Sequence, residues 1–150
     1  MKQRIHFLTY SDNKKYAVSK KHILGLAKKS EIFETCQGKS KNDLGFEFIQ
    51  KYRAILEQDR GSGYYLWKPR IILQKLNEIS IGDIVVYTDA GSSFNFYAKS
   101  RFFDYIEMLN SSDFGNLRFE SKKNYLEKYW TNKEIFKQFN IKPESPEGNT

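Results

Sequence analysis

Gly82-Asp83-Ile84-Val85-Val86-Tyr87-Thr88-Asp89-Ala90-Gly91 contains the most β-favouring run of the chain, Ile84 to Thr88, between a Gly-Asp turn and an Asp-Ala-Gly exit. β-Branched and aromatic residues suit a pleated surface. The near-continuous apolar character predicts a strand buried on both faces, as in a parallel sheet. Far upstream, Ile5-His6-Phe7-Leu8-Thr9-Tyr10 is a second such run, and it stops at Ser11-Asp12-Asn13, residue types that make turns and cap helices. Between the two runs the apolar spacing becomes helical. Ile23, Leu24 and Ala27 share one face of a helix predicted over 19–29, and Glu31-Ile32-Phe33-Glu34-Thr35-Cys36 reads as another short strand. Ser40-Lys41-Asn42-Asp43 has the spacing of a capping box ahead of a helix striped by Phe48, Ile49, Tyr52, Ile55 and Leu56. Gly61-Ser62-Gly63 ends that helix, and Pro69 suits the first turn of the next, which Ile72, Leu76 and Ile79 continue.

Strand, helix, strand, helix, helix, strand defines an α/β fold with a mostly parallel central sheet flanked by helices. Ligands of such sheets bind outside the carboxyl ends of the strands. The segments 9–12 and 89–93 are therefore expected to meet at one site. Further on, Phe102, Phe103, Ile106 and Leu109 form a helical stripe, Leu117-Arg118-Phe119 suits an edge strand, and Thr131-Asn132-Lys133-Glu134 has capping-box spacing before Ile135, Phe136 and Phe139. The tail from Pro143 to Thr150 has no apolar anchor. The expected organisation is one domain over 1–142 and a flexible tail over 143–150.

Composition narrows the partner. With 25 Lys+Arg and 18 Asp+Glu the formal charge is +7, and the pI near 9.3 favours an anionic partner. Twelve Phe, ten Tyr and two Trp supply too much ring area for a disordered chain, despite a mean hydropathy of −0.68. A single cysteine, Cys36, excludes an intramolecular disulfide and fits a reducing compartment. The apolar run after Met1-Lys2-Gln3-Arg4 is too short for a secretory h-region, and no stretch approaches the length of a membrane span. The expected location is cytoplasmic, with peripheral contact to a membrane left open. Zinc-ligand spacing, a P-loop and the Rossmann glycine pattern are all missing, which lowers the ATPase and dehydrogenase readings.

Two motifs carry candidate chemistry. Asp89, at a strand end with Gly91 close behind, suits a divalent ion bridging to phosphates, but the same spacing also makes an ordinary turn. Trp67-Lys68-Pro69 places a ring and a cation at a helix start, where anions are favoured; alternatively Trp67 is a core ring and Lys68 reaches solvent. The lysine pairs 14–15, 20–21, 28–29 and 122–123 are spread over several elements and read as solvated surface.

Taken in order, Phe7-Leu8-Thr9-Tyr10, Gly63-Tyr64-Tyr65-Leu66-Trp67-Lys68-Pro69 and Gly82 to Gly91 resemble a family of bacterial and viral glycosyltransferases of the GT-A fold. The resemblance covers most of residues 5–95, and Tyr129 to Ile135 looks like the family's continuation. It implies a Rossmann-like nucleotide-binding architecture, a nucleotide-sugar donor, transfer of the sugar to a glycan or other hydroxyl acceptor, and Mn²⁺ or Mg²⁺ as cofactor. Thr9, Tyr10 and Ser11 would lie beside the base and ribose, and Trp67 and Lys68 near the diphosphate. Asp89 would be the first acid of the metal-binding Asp-x-Asp motif, followed in the donor site by Ala90 and Gly91. Gly91 stands where the second acid usually sits, so one carboxylate would hold the ion weakly, and Lys68 is a cation that could neutralise the diphosphate instead. Members usually continue well past this motif. The chain therefore reads as a short or truncated member, the donor-binding part without the acceptor half, either inactive alone or completed by a second copy or another polypeptide. The alternative reading is a small basic α/β module that binds an anionic polymer such as nucleic acid.

Overall fold

A computed structural model describes residues 3–12, 14–117 and 126–145. The chain divides into two compact units, 1–97 and 98–150.

The first unit is α/β. Its sheet has three strands, β1 (Ile5–Tyr10), β2 (Thr35–Lys39) and β3 (Ile84–Tyr87), in the order β2-β1-β3, and both pairings are parallel. Phe7 sits opposite Cys36 on one side and Val86 on the other. The two-residue alternation of a strand assigns side chains to faces. Leu8 and Tyr10 join Leu44, Leu56, Trp67 and Ile71 in one apolar cluster. Phe7 joins Ile23 and Ala27 of helix α1 (Ala17–Lys29) in the other.

Three expectations change. The strand buried on both faces is β1, with five of its six residues buried, whereas β3 lies at a sheet edge with only Ile84 buried. An apolar run does not distinguish a central strand from an edge strand whose faces are covered by helices. The second strand begins at Thr35, because Glu31 takes a left-handed φ of 55° just after α1 and cannot start an extended segment. The helix around Pro69 spans Trp67–Glu78 and buries Trp67, Ile71 and Lys75; of the expected stripe Ile72 packs against the core, Leu76 is exposed, and Ile79 falls just past the helix end. Its rotation is fixed at the start, where the Trp67 ring stacks on Tyr10 at 3.8 Å and its Nε1–H donates to the Gly61 carbonyl at 2.9 Å. Lys75 is 4% exposed, with its ammonium 3.6 Å from the Glu78 carboxylate.

The capping box at Ser40 forms, but over a 3-10 turn (Lys41–Leu44). The Asp43 carboxylate accepts from the Ser40 N–H at 2.7 Å and the Ser40 hydroxyl at 2.8 Å. After Gly45 come two short helices, α2 (Phe46–Lys51) and α3 (Arg53–Leu56). Gly61, Ser62, Gly63, Tyr64 and Tyr65 then all have φ between 51° and 93°. The Tyr64 and Tyr65 amides donate to the Arg60 and Gly61 carbonyls, closing a turn of opposite hand to the helices around it.

At the amino ends of β1 and β3 the sheet is stitched by charge. Asp83, with its side chain 5% exposed, accepts from the Arg4 backbone N–H and guanidinium and from the Ser80 N–H. His6 Nε2 lies 3.4 Å from the same carboxylate, while its Nδ1 faces the Thr35 hydroxyl at 2.9 Å. The Arg4 guanidinium holds the Asp83 carboxyl far below the usual carboxylate range. A depressed folded-state pKa contributes stability that is present above the unfolded value of about 4 and is lost as pH falls below it. Asp83→Asn should therefore unfold at lower urea than the parent at neutral pH. That gap should narrow as pH is taken below about 4; a gap unchanged by acid would show that Asp83 acts by shape rather than charge.

The second unit contains helices Lys99–Asn110 and Lys133–Gln138. In the second of these the cap is Asn132, whose side chain accepts the Glu134 N–H at 2.9 Å, while the Thr131 hydroxyl donates to Glu127. Phe136 is its buried residue. The edge strand expected at Leu117-Arg118-Phe119 falls largely outside the described residues, as do residues 146–150 of the expected tail. Among the described residues no helix is long and apolar enough to cross a membrane.

Candidate functional site

A cleft of about 460 Å³ opens in the first unit at the carboxyl ends of β1 and β3. Two short segments form one part of it, Tyr10-Ser11-Asp12 leaving β1 and Asp89-Ala90-Gly91 following β3. The Thr88 N–H donates to the Leu8 carbonyl at 3.1 Å, which extends the ladder by one step and holds these exits side by side. Lys20 of α1 supports the first of them by donating to the carbonyls of Ser11 and Lys39.

Rings supply the apolar surface. Trp67 and Tyr65 both line the cleft with Tyr10, and the tilted Tyr65 and Trp67 rings are 6.3 Å apart. Burial, then the charges of Asp12 and Asp43, pushes the Tyr10 phenol far above its usual range, so it stays a neutral O–H. The left-handed turn reaches the cleft through Gly61, Ser62 and Tyr65, and a Cβ on Gly61 would meet the Tyr65 ring at 2.7 Å.

Of the residues expected at a donor site, Tyr10, Ser11, Trp67, Asp89, Ala90 and Gly91 line this cleft. Thr9 does not, being fully buried in the sheet, with no hydrogen-bond partner for its hydroxyl among the described residues. Lys68 stands one contact back, with its ammonium 3.1 Å from Asp89 Oδ1. That oxygen also accepts the Tyr87 O–H at 2.7 Å. The Tyr87 hydrogen bond leads, and with Lys68 it lowers the Asp89 pKa; burial and Asp89 in turn raise that of Tyr87.

Sequence reasoning does not find Asp59, Ser62 and Tyr65. They enter from the far side of the chain, and their local signal is the pair of glycines at 61 and 63, which also fits a plain helix stop. Lys15 and Tyr16 lie just beyond the Ser11-Asp12-Asn13 turn and line the cleft beside Asp12.

The cleft's own charges are Asp12, Asp59 and Asp89 against Lys15. Carboxylates accept from hydroxyls and ring N–H groups, and rings stack on flat or apolar faces, so the lining suits a nucleoside or sugar better than a bare polyanion. A divalent ion fits poorly at Asp89. Its Oδ1 already takes an ammonium and a phenol, Gly91 adds no second acid, and among the described residues no group of three His, Cys, Asp or Glu could hold a metal. No family model, no curated protein and no solved structure matches the chain.

Proposed function

We propose that the protein is a glycosyltransferase of the GT-A type, in which the cleft binds the nucleotide of a sugar donor and the sugar passes to a glycan or other hydroxyl acceptor. One observation carries this reading. A ring-lined, carboxylate-bearing cleft sits at the carboxyl ends of two adjacent parallel strands, the place where open α/β sheets take their ligands, and its size is that of a small-molecule site.

In this reading Tyr10, Tyr65 and Trp67 pack the nucleoside, Asp12 and Asp59 accept from ribose hydroxyls or base N–H groups, and the diphosphate lies toward Asp89, Ala90 and Gly91. Transfer then requires the acceptor oxygen to bond to the anomeric carbon as the bond to the diphosphate breaks; the electron pair of that bond leaves with the phosphate, and the acceptor's hydroxyl proton passes to the departing diphosphate or to solvent. Charge develops on the departing diphosphate, so a fixed cation beside it lowers the barrier.

Binding of an anionic polymer finds less support, because the lining offers rings and hydrogen-bond acceptors rather than a basic groove, whereas a nucleotide needs a cation only at the rim, where Lys68 stands. The test is thermal stability with UDP, GDP, CDP and dTDP. At about 100 times its dissociation constant a ligand adds roughly 2.7 kcal/mol to the native state. A stabilising shift with one nucleotide is expected and would name the base. A cooperatively folded sample that none of them shifts would remove the reading.

A further inference from the structure

Lys68 is held in an unusual way for a lysine one-third exposed to water. Its ammonium lies 4.8 Å from the Tyr87 ring centroid, 5.6 Å from that of Tyr65 and 5.8 Å from that of Trp67. Aromatic faces attract a cation, and three of them around one ammonium fix its position without neutralising it. Two of these rings, Tyr65 and Trp67, are walls of the cleft. The carboxylate paired with Lys68 is Asp89, another wall, and the pair is open to water, with side-chain exposures of 34% and 67%.

An ammonium has three N–H donors and a solvent-exposed ion pair contributes little to stability, so an incoming phosphate can share the Lys68 ammonium while the mostly exposed Asp89 carboxylate turns toward water. The three rings keep the ammonium at the rim when Asp89 releases it. A divalent ion meets the opposite situation. It would have to displace both Lys68 and the Tyr87 hydroxyl from one oxygen, with Gly91 offering no second acid.

We propose that the cleft binds a nucleoside diphosphate without a divalent cation, with the ring-held Lys68 ammonium as the counter-charge to the phosphates and Asp89 as the acid that holds it before the ligand arrives. The proposal rests on the nucleotide-binding reading above.

The experiment is calorimetric titration of the whole protein with the four nucleoside diphosphates and their nucleosides, each in excess chelator and again with Mg²⁺ or Mn²⁺. The variants are Lys68→Ala and Lys68→Arg. The expected result is one diphosphate bound in chelator about as tightly as with metal. Lys68→Ala should weaken that binding by about tenfold or more, because a charge-assisted contact is lost. Lys68→Arg should retain most of it, and the matching nucleoside should bind parent and Lys68→Ala alike.

Binding that appears only with Mg²⁺ or Mn²⁺ would overturn the inference and leave the donor-site reading standing. Metal-free binding unchanged in Lys68→Ala would overturn the role of Lys68, as would equal losses for nucleoside and diphosphate, which mark a structural effect. No binding of any nucleotide under either condition would remove both readings together.

Discussion

Gly63→Ala is expected to destabilise the protein by about 2–5 kcal/mol, combining the overpacking of a tight site with the cost of a left-handed residue bearing a side chain. Gly63 is buried at φ 93°, and a Cβ there would lie 2.7 Å from the Leu56 Cα and 2.9 Å from the Ile55 carbonyl oxygen. Both are backbone atoms of the preceding helix end, so no side chain can swing away to make room. Gly82 separates the two contributions. It has a similar φ of 90°, but a methyl group there would stand in open space, with nothing within 4 Å. Gly82→Ala should therefore cost only the conformational part, about 1–2 kcal/mol. Urea titration of both variants decides the point: equal losses would mean that the approach to Leu56 relaxes freely.

Trp67→Ala should be at least as damaging, at about 3–5 kcal/mol for a large aromatic side chain removed from a core. Trp67 is 5% exposed, stacks on Tyr10, bonds to the Gly61 carbonyl and belongs to the cluster containing Leu8 and Ile71. One side chain thus joins the central strand, the left-handed turn and the start of a helix. Trp67→Phe keeps a ring for the stack but loses the indole donor, and should cost nearer 1 kcal/mol from the hydrogen bond alone. Fluorescence gives an independent check. The other tryptophan, Trp130, is 71% exposed, so Trp67→Phe should leave emission shifted toward that of a hydrated indole. Emission unchanged in wavelength would place Trp67 in a wetter setting than its packing implies.

The sequence is readable where a segment's own residues decide its state. Ile5 to Tyr10 is apolar and β-favouring throughout, and β1 has those bounds. The segments 9–12 and 89–93 are expected at one place because a parallel sheet puts its strand ends together, and of these Tyr10 to Asp12 and Asp89 to Gly91 line the cleft. The start of β2 lies four residues beyond its expected place, because Thr35-Cys36-Gln37-Gly38-Lys39 is polar and is held extended by pairing with β1 rather than by its own propensity. The inward face of the Trp67–Glu78 helix departs from its apolar spacing for a similar reason. Its phase is set by the Tyr10 stack, and Lys75 can bury its stem in a place that hydropathy reserves for Ile or Leu. The left-handed turn is the least accessible feature, since Ser62, Tyr64 and Tyr65 do not favour positive φ and only the surrounding contacts keep them there.

The position of β1 in the middle of the sheet also sets an order of events during synthesis. The central strand leaves the ribosome first and can pair with β2 soon afterwards, but Ile5 waits for Ile84, 79 residues later, to cover its other edge. At about 5–20 residues per second that interval is roughly 4–16 s. Through it, the nascent chain carries a strand of Ile, Phe, Leu and Tyr with one row of amides and carbonyls unpaired, the form in which strands from neighbouring chains join. Slowed elongation between β2 and β3 lengthens that exposure, so the yield of folded protein depends on how quickly the ribosome crosses the segment that builds the cleft.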